Sequence, residues 1–394
     1  MKRNLFGIAA ATLLLNACSA DETMDCIDNS RDIKFTASIQ SASRAFNEVG
    51  SEGMLSAFNN GFNVTATFNG QNYFSDIPFI LSGDKWIADN SMHFPWPSKG
   101  GTLKFFAYSP GSLKEYASVE SGNFKLTGYK CPIDYEKQKD LLYAAPSVTS
   151  SGQFADRDVA LDFYHLLSEI RITLHSHNDV FRVNVKGIKL GNLYTTATFD
   201  PAGKDPVPGS DIWKDHKDMG SYARIFDEPR MLSFRDGLYD SGPEGFMILP
   251  QKNIELWGEN RLDRGAYIGI LCNISTQGTN GEWHQIFPVP DGSGIMKYSW
   301  TGAKFPLTEL QAGTKYNISI SMIEGKYWNE AGIILPDQSN PLDPNDPTIQ
   351  KEPYPGEDYA GQCVLGGPLD IKTSVASTLS WYGNNDPECN ITLK

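Results

Sequence analysis

The segment Ile33-Lys34-Phe35-Thr36-Ala37-Ser38-Ile39 decides the fold of this 394-residue chain. Its apolar and polar side chains alternate, which is the period of a β-strand with one buried face. Short apolar runs recur downstream, and clusters of Gly, Asn, Asp and Pro separate them. They occupy 62–68, 103–108, 170–174, 181–188, 246–249, 267–274 and 316–322. Because long helical periodicity is missing from the sequence, we predict an all-β protein built from β-sandwiches.

Asn69-Gly70 is the sharpest turn signal in the chain. Both residues tolerate the positive φ angles that a two-residue hairpin turn requires. The pair therefore predicts a hairpin that links a strand ending at Phe68 to a strand beginning near Tyr73.

The N-terminus has the parts of an export signal. Two basic residues precede an apolar run from Leu5 to Leu15, and Ala17-Cys18 follows it. The run is too short to span a bilayer as a mature helix, and a small residue before a cysteine is what a lipoprotein signal peptidase accepts. We therefore predict a signal peptide over residues 1–17 and acylation of Cys18, since several acyl chains on one residue anchor a protein stably.

Length and composition predict two domains and a tail. The chain exceeds the usual size of one domain, and residues 146–152 form a loop-like stretch rich in Ser. We place an N-terminal β-sandwich domain over 18–158 and a C-terminal one over 159–335. Residues 336–358 contain six prolines, which is typical of an extended connector. The tail, 336–394, is thus predicted to be a proline-rich connector followed by a strand.

Charge and cysteine content exclude some classes of function. The net charge of −13 argues against nucleic-acid partners and against attraction to anionic lipid surfaces. Beyond Cys18 the chain has five cysteines, and none has the C-x-x-C spacing of a metal knuckle. Most of them are predicted to be isolated buried thiols. An exported location leaves open one disulfide in the tail, between Cys363 and Cys389.

The sequence offers no convincing catalytic or metal-binding motif. No nucleophile motif accompanies His165, so we interpret it as a packed, hydrogen-bonded residue. His175 and His177 would share a strand face, but zinc normally needs three or four protein ligands. The acidic segment 343–346 lacks the glycine of an EF-hand loop and is interpreted as solvated linker. The sequence therefore predicts no enzyme, no catalytic residue, no metal and no cofactor.

Tryptophans near loops leave a second class of function open. They are Trp213, Trp257, Trp283 and Trp300. Exposed aromatic rings flanked by polar residues can stack on sugar rings, so a surface glycan-binding lipoprotein is the alternative. The competing interpretation is core packing, because Trp is highly buried on average.

Several motifs, in order along the chain, resemble the fimbrillin family of Bacteroidales. The strand at 33–39 is followed by Ser43-Arg44-Ala45, which is similar to the first strand and arginine site of that family. The other matching segments are Phe94-Pro95-Trp96-Pro97, Leu103-Lys104-Phe105-Phe106-Ala107-Tyr108-Ser109-Pro110, Asp140-Leu141-Leu142-Tyr143-Ala144, Leu161-Asp162-Phe163-Tyr164-His165-Leu166-Leu167-Ser168-Glu169-Ile170, Ile248-Leu249-Pro250-Gln251 and Ala312-Gly313-Thr314-Lys315-Tyr316. Their ordered set, rather than any single motif, carries the resemblance.

The resemblance implies two transthyretin-like β-sandwich domains and a lipid-anchored precursor on the cell outer membrane. It also implies assembly into a surface fimbrium, or pilus, that supports adhesion. In such a family a protease cuts after an arginine, so Arg44 and Ala45 would flank the maturation site. The first strand, about 31–44, then leaves, and its groove accepts a strand from another subunit. The implied partners are other pilin subunits, the outer membrane through Cys18, and the maturation protease.

The tail supplies a candidate donor strand for this exchange. Its candidate donor residues all lie at odd positions, which places them on one face of a regular strand. They are Leu369, Ile371, Thr373, Val375, Leu379 and Trp381. An alternating strand can add to an open sheet edge while its side chains fill pockets below. Two alternatives stay open: the strand is donated to a neighbouring subunit, or it closes an edge of its own C-terminal domain.

Overall fold

The structure, a computed structural model, describes residues 32–39, 58, 61–89, 92–154, 157–176, 180–207, 209–232, 239–240, 245–257, 265–322, 338–350, 363–364, 367–368 and 371–380. These residues form β-strands joined by turns, with two short 3₁₀ segments at Gly111–Glu115 and Tyr135–Lys137, and no α-helix. The all-β prediction is confirmed at this level. Within the same residues, no helix is long and apolar enough to cross a membrane.

The strands, in chain order, are β1 (Phe35–Ile39), β2 (Phe62–Phe68), β3 (Gln71–Ser82), β4 (Lys85–Ala88), β5 (Gly101–Ser109), β6 (Ala117–Glu120), β7 (Asn123–Lys130), β8 (Leu142–Ala144), β9 (Ser147–Ser150), β10 (Val159–His165), β11 (Ser168–Ser176), β12 (Phe181–Phe199), β13 (Trp213–Leu232), β14 (Tyr239–Asp240), β15 (Phe246–Ile248), β16 (Tyr267–Gln277), β17 (Trp283–Phe287), β18 (Ser299–Lys304), β19 (Thr314–Met322), β20 (Cys363–Val364), β21 (Gly367–Pro368) and β22 (Ile371–Ser380).

The first sheet closes on itself. Its order is β2-β3-β4-β1-β10-β8-β5-β9, and β2 also pairs with β5, so seven strands form a complete ring. The hairpin between β2 and β3 turns at Asn69 and Gly70, whose φ angles are 50° and 81°, as predicted from the Asn-Gly pair. Side chains that point into the ring form the first core, which is rich in aromatic residues.

Two further sheets enclose the second, larger core. A seven-stranded sheet has the order β17-β16-β12-β7-β6, with β13 on β12 and β18 on β16. A five-stranded sheet has the order β14-β11-β19-β22, with β15 also on β11. Its central pair, β11 and β19, is parallel. Facing sheets of this kind bury their alternating apolar side chains between them.

Strand β5 is buried on both faces and separates the two cores. Leu103, Phe105 and Ala107 belong to the first core, whereas Phe106 and Tyr108 belong to the second. Successive side chains of a strand point to opposite faces, so alternate residues of one strand serve different cores. This explains why residues 105–108 are continuously apolar rather than alternating.

Sheet membership does not change at the predicted boundary between residues 158 and 159. Strand β10, which begins at Val159 and follows the boundary, pairs with β1 and β8 in the first sheet. Strands β6 and β7, which precede the boundary, belong to the seven-stranded sheet, where β7 pairs with β12. The Ser-rich stretch at 146–152, predicted to be a loop, contains strand β9 on β5. Sheet membership depends on pairing between segments that are distant in the sequence, and local composition does not predict that pairing.

The proline-rich connector is docked in part, which differs from the solvated linker predicted from its composition. The backbone N–H of Tyr298 donates to the carbonyl of Thr348 at 2.9 Å, and that of Gln350 donates to Tyr298 at 2.8 Å. Ile349 packs against a small third core that contains Trp300. The Nζ atom of the fully buried Lys189 donates to the carbonyl of Ser339 at 3.3 Å. The backbone groups of this segment therefore form hydrogen bonds with the rest of the protein, even though the segment is rich in proline.

Candidate functional site

The candidate site is the groove that β1 occupies in the ring. One edge of β1 pairs in parallel with β10, where Phe35 lies opposite Val159 and Ile39 opposite Phe163. The other edge pairs antiparallel with β4, where Phe35 lies opposite Trp86. Among the described strands, β1 alone bridges β4 and β10. Without it the ring would be open and would present two unpaired edges.

The inward face of β1 matches the sequence prediction. Ile33 and Phe35 are 2% and 0% exposed, and the half-buried Ala37 and Ile39 pack against the same core. Thr36, between Phe35 and Ala37, is exposed. The alternation in the sequence therefore identifies the face of this segment that packs on the core, while Lys34 and Ser38 between the apolar residues are half-buried.

Phe35 sits in a cluster of aromatic rings. Its ring centroid lies 4.8 Å from that of Phe79, 5.3 Å from Phe105 and 6.4 Å from Phe62, all in edge-on geometry. Edge-on pairs at these distances contribute beyond simple burial of area. A strand that left this groove would therefore leave a cavity the size of a phenyl ring at the centre of the first core.

Few polar contacts hold the rest of β1. The Ser38 hydroxyl donates to Asp162 Oδ1 at 2.5 Å, and the Ile33 N–H donates to the Phe94 carbonyl at 2.9 Å. Just before the strand, Asp32 Oδ2 lies 2.7 Å from His93 Nδ1. Side-chain packing and the two backbone ladders thus account for most of the described attachment of this strand.

The walls of the groove come from residues to which the sequence analysis assigns no role in the groove. Trp86 on β4 is fully buried, as are Leu161 and Phe163 on β10. Leu161 and Phe163 belong to one of the motifs that carry the family resemblance, but the motif does not indicate their place in this groove. The position of β10 beside β1, more than a hundred residues earlier in the chain, has no local signature.

The tail strand β22 pairs with its own chain. It lies antiparallel to β19, with Val375 opposite Ile318 and Ile371 opposite Met322. Val375 packs against the second core. A register shift falls between the pairs of Asn317 and Ile318, so the backbone does not keep one alternating register from residue 371 to residue 380 in this location.

The structure brings together only some of the predicted site residues. Ile371, Thr373, Val375 and Leu379 lie within β22, and Cys363 lies in β20, paired with β21. The remaining residues of the predicted lipidation, maturation, donor and disulfide sites are outside the described residues: Cys18, Arg44, Ala45, Leu369, Trp381 and Cys389.

Two cysteines within the described residues are free and buried, as predicted for isolated thiols. Cys131 lies in the second core and donates to the Met247 carbonyl at 3.4 Å. Burial raises the pKa of the Cys131 thiol to about 12 and also raises the pKa of Cys272. Both groups are therefore protonated at neutral pH, which is unsuited to nucleophilic or metal-binding chemistry.

The histidines have structural partners. His165 Nδ1 lies 2.5 Å from Asp140 Oδ2, in agreement with the interpretation of a packed, hydrogen-bonded residue. His175 Nδ1 lies 3.3 Å from Ser319 Oγ, and His177 is outside the described residues. Within the described ranges, no cluster of three or more His, Cys, Asp or Glu side chains could hold a metal ion.

Most of the tryptophans considered for glycan stacking are buried. Trp213, Trp257 and Trp300 are 4%, 7% and 0% exposed, and Trp213 also donates from Nε1 to the Leu166 carbonyl at 2.7 Å. The half-buried Trp283 is covered by the Arg182 guanidinium at 3.9 Å from the ring centroid. Trp213 and Trp283 are the first residues of β13 and β17, and Trp300 is the second residue of β18, so all three lie close to loops as the sequence suggested. Their rings nevertheless take part in packing.

A family model and several solved structures resemble the chain. The model of a fimbrillin-like family matches residues 54–334. A fimbrial protein of Bacteroides vulgatus is 14% identical, with 74% of this chain and 95% of that chain covered and a TM-score of 0.45. A candidate cell adhesion protein of Bacteroides uniformis is 15% identical, with 74% and 94% covered and a TM-score of 0.41. One from Parabacteroides distasonis is 11% identical, with 89% and 97% covered and a TM-score of 0.40. No curated protein sequence matches at a significant level.

Proposed function

Since this chain belongs to the fimbrillin-like family, we propose that it is a structural subunit of a cell-surface fimbrium that supports adhesion. Family membership indicates a pilin-like role at the cell surface and assembly with other pilin subunits, rather than catalysis. The observation that carries the proposal is the position of β1. This strand closes the ring of the first sheet, and Arg44 follows it by only five residues in the sequence.

Assembly in this proposal begins with proteolysis after Arg44. The cut separates β1 from the rest of the chain, so the strand can leave. Its departure exposes the backbone groups of β4 and β10 and the aromatic cavity of Phe35. A strand from another subunit then satisfies both edges while its alternate side chains fill the pockets below. The proposal includes the two transthyretin-like sandwich domains that the family resemblance implies.

The tail strand is the proposed donor. Its candidate residues are Leu369, Ile371, Thr373, Val375, Leu379 and Trp381. On β19 the strand is interrupted by a register shift, whereas its alternating sequence suits an uninterrupted groove. Twenty residues separate Gln350, at the end of the docked connector, from Ile371. Extended at about 3.1 Å per residue, they reach roughly 60 Å, which is sufficient to reach a neighbouring subunit.

The precursor is proposed to be held on the outer membrane by acylated Cys18. Metabolic labelling with a fatty-acid analogue tests this step. The native chain should incorporate the label, and a Cys18→Ala variant should be folded and unlabelled. Label on the Cys18→Ala chain would show that the anchor lies elsewhere.

Limited trypsin digestion tests the proposed maturation. The native chain should give a stable product that begins at Ala45 and then forms ladders of higher assemblies. Arg44→Ala should abolish both results, whereas Arg157→Ala, at an exposed loop residue, should change neither. A product that begins elsewhere, or assembly by the uncleaved Arg44→Ala chain, would contradict the mechanism.

Truncation tests the donor assignment. A chain that ends at Gln350 keeps the docked connector but lacks β22. If β22 is donated, this chain should fold and be cleaved by trypsin but should not form filaments. If β22 only closes its own domain, the chain should melt at a lower temperature and still assemble after cleavage, and the donor assignment would be wrong.

A further inference from the structure

A polar cleft lies away from the β1 groove, between the β2–β3 hairpin and the edge strand β6. Its volume is about 330 Å³, and its lining includes Thr67, Asp76, Lys114, Ser118 and Ser121. Strand β6 ends the seven-stranded sheet and, among the described strands, pairs only with β7. The cleft therefore combines side-chain groups with the free backbone edge of a strand, where N–H and C=O groups are available to a ligand.

Asp76 is held rigidly in this cleft. Its Oδ1 atom accepts from Asn63 Nδ2 at 2.6 Å and from the Tyr108 hydroxyl. Burial, followed by this hydrogen bond, raises the pKa of Tyr108, so the hydroxyl remains a donor. The backbone N–H of Asp76 donates to Thr65 Oγ1 at 3.0 Å. These contacts fix the carboxylate plane and leave the second oxygen, Oδ2, without a described hydrogen-bond partner in the cleft.

The backbone of Asp76 is also unusual. Its φ angle is +54° inside strand β3, at an irregularity in the pairing with β2. Positive φ is uncommon for residues other than glycine and often accompanies functional sites. Here it places a charged acceptor in a concave site lined by hydroxyl groups, instead of on the open surface.

We propose that this cleft binds a single, neutral sugar residue. A volume near the lower end of the range for ligand pockets suits one pyranose ring rather than a larger molecule. Asp76 Oδ2 accepts from sugar hydroxyls, and the Lys114 ammonium donates to others. The hydroxyls of Ser118 and Ser121 can both donate and accept. The single carboxylate disfavours anions, and one acidic side chain is too few for a divalent cation. The cleft would give a fimbrial subunit a specificity that strand exchange alone does not supply.

Titration with methyl glycosides of glucose, galactose, mannose, fucose and N-acetylglucosamine, one at a time, tests this proposal. The full chain is observed by calorimetry and by saturation-transfer NMR. Asp76→Asn keeps the acceptor for Asn63 and Tyr108 and is compatible with positive φ, but it turns the second carboxylate oxygen into a donor. Asp215→Asn is the matched control, because Asp215 also has a φ of +54° and is exposed outside the cleft.

At least one glycoside should bind the native chain, and Asp76→Asn should weaken its binding at least tenfold. Ser118→Phe, which fills the cleft, should also abolish binding, while Asp215→Asn should bind as the native chain does. Thermal melting confirms that each variant is folded. Absence of binding by all five glycosides, or binding that Asp76→Asn leaves unchanged, would overturn the proposal. Both readouts use the uncleaved monomer, so they are independent of fimbrial assembly.

Discussion

Replacing Phe35 by Ala should destabilise the protein more than any other single change in β1. The side chain is fully buried, and its ring contacts those of Phe62, Phe79 and Phe105. Truncation of a buried Phe to Ala costs about 3–5 kcal/mol, because transfer energy is lost and a cavity remains. That is a large fraction of the roughly 5–15 kcal/mol that stabilises a typical native protein.

Urea unfolding followed by circular dichroism measures this loss. With a slope near the upper end of the usual 1–3 kcal/mol per molar urea, the midpoint should fall by about 1–2 M. Thr36→Ala is the matched control, since the neighbouring side chain is exposed and its removal should stay within about 0.5 kcal/mol. Under the proposed mechanism, the same loss should accelerate release of the first strand after cleavage at Arg44. Equal midpoints for Phe35→Ala and Thr36→Ala would refute the role assigned to the aromatic cluster.

Three further predictions concern other parts of the molecule. Burial raises the pKa of Cys131 to about 12, so this thiol should resist iodoacetamide in the native protein and react with it in urea. Mass spectrometry measures the modification. Modified Cys131 in the native protein would contradict its burial. The Glu169 side chain is 1% exposed and bridges two cations, one on β11 and one on β19, so Glu169→Gln should lower the unfolding free energy by about 2 kcal/mol. Glu309→Gln, in an exposed ion pair, should lower it by less than about 0.5 kcal/mol. Equal urea midpoints for the two variants would contradict the larger contribution assigned to the buried pair. Ile349→Asp should release the docked connector and increase the rate of its cleavage by trypsin severalfold. Leu342→Asp, at a more exposed position, should leave that rate unchanged. Identical cleavage rates for the two variants would show that Ile349 does not hold the connector.

The sequence predicts local features of the fold well. Alternation at 33–39 identifies a strand and its buried face, and Asn69-Gly70 identifies a hairpin, because both depend only on neighbouring residues. The order of strands is different. The pairing of β1 with β10 and of β7 with β12 joins segments that are far apart in the chain, so sheet membership crosses the predicted domain boundary.

The candidate site shows the same limit. Phe35 could be assigned to a buried face from its spacing, but the rings around it come from β2, β3 and β5. The prolines and charges of the connector predict a solvated linker. Its docking depends on hydrogen bonds to the backbone N–H and carbonyl of Tyr298, and because almost every residue has these groups, the sequence does not indicate which ones pair. The strand pattern in the tail predicts one continuous face, and the register shift on β19 interrupts it, because the partner strand as well as the sequence sets the register.

Strand β5 links the thermodynamics of the two cores. Because its alternate side chains belong to different cores, neither core can lose this strand without opening the other to water. The two cores should therefore melt in a single cooperative step, with one calorimetric peak whose enthalpy matches the van't Hoff value. In an assembled fimbrium, a strand seated in the first core would then raise the melting temperature of the whole subunit, including sheets that it never contacts.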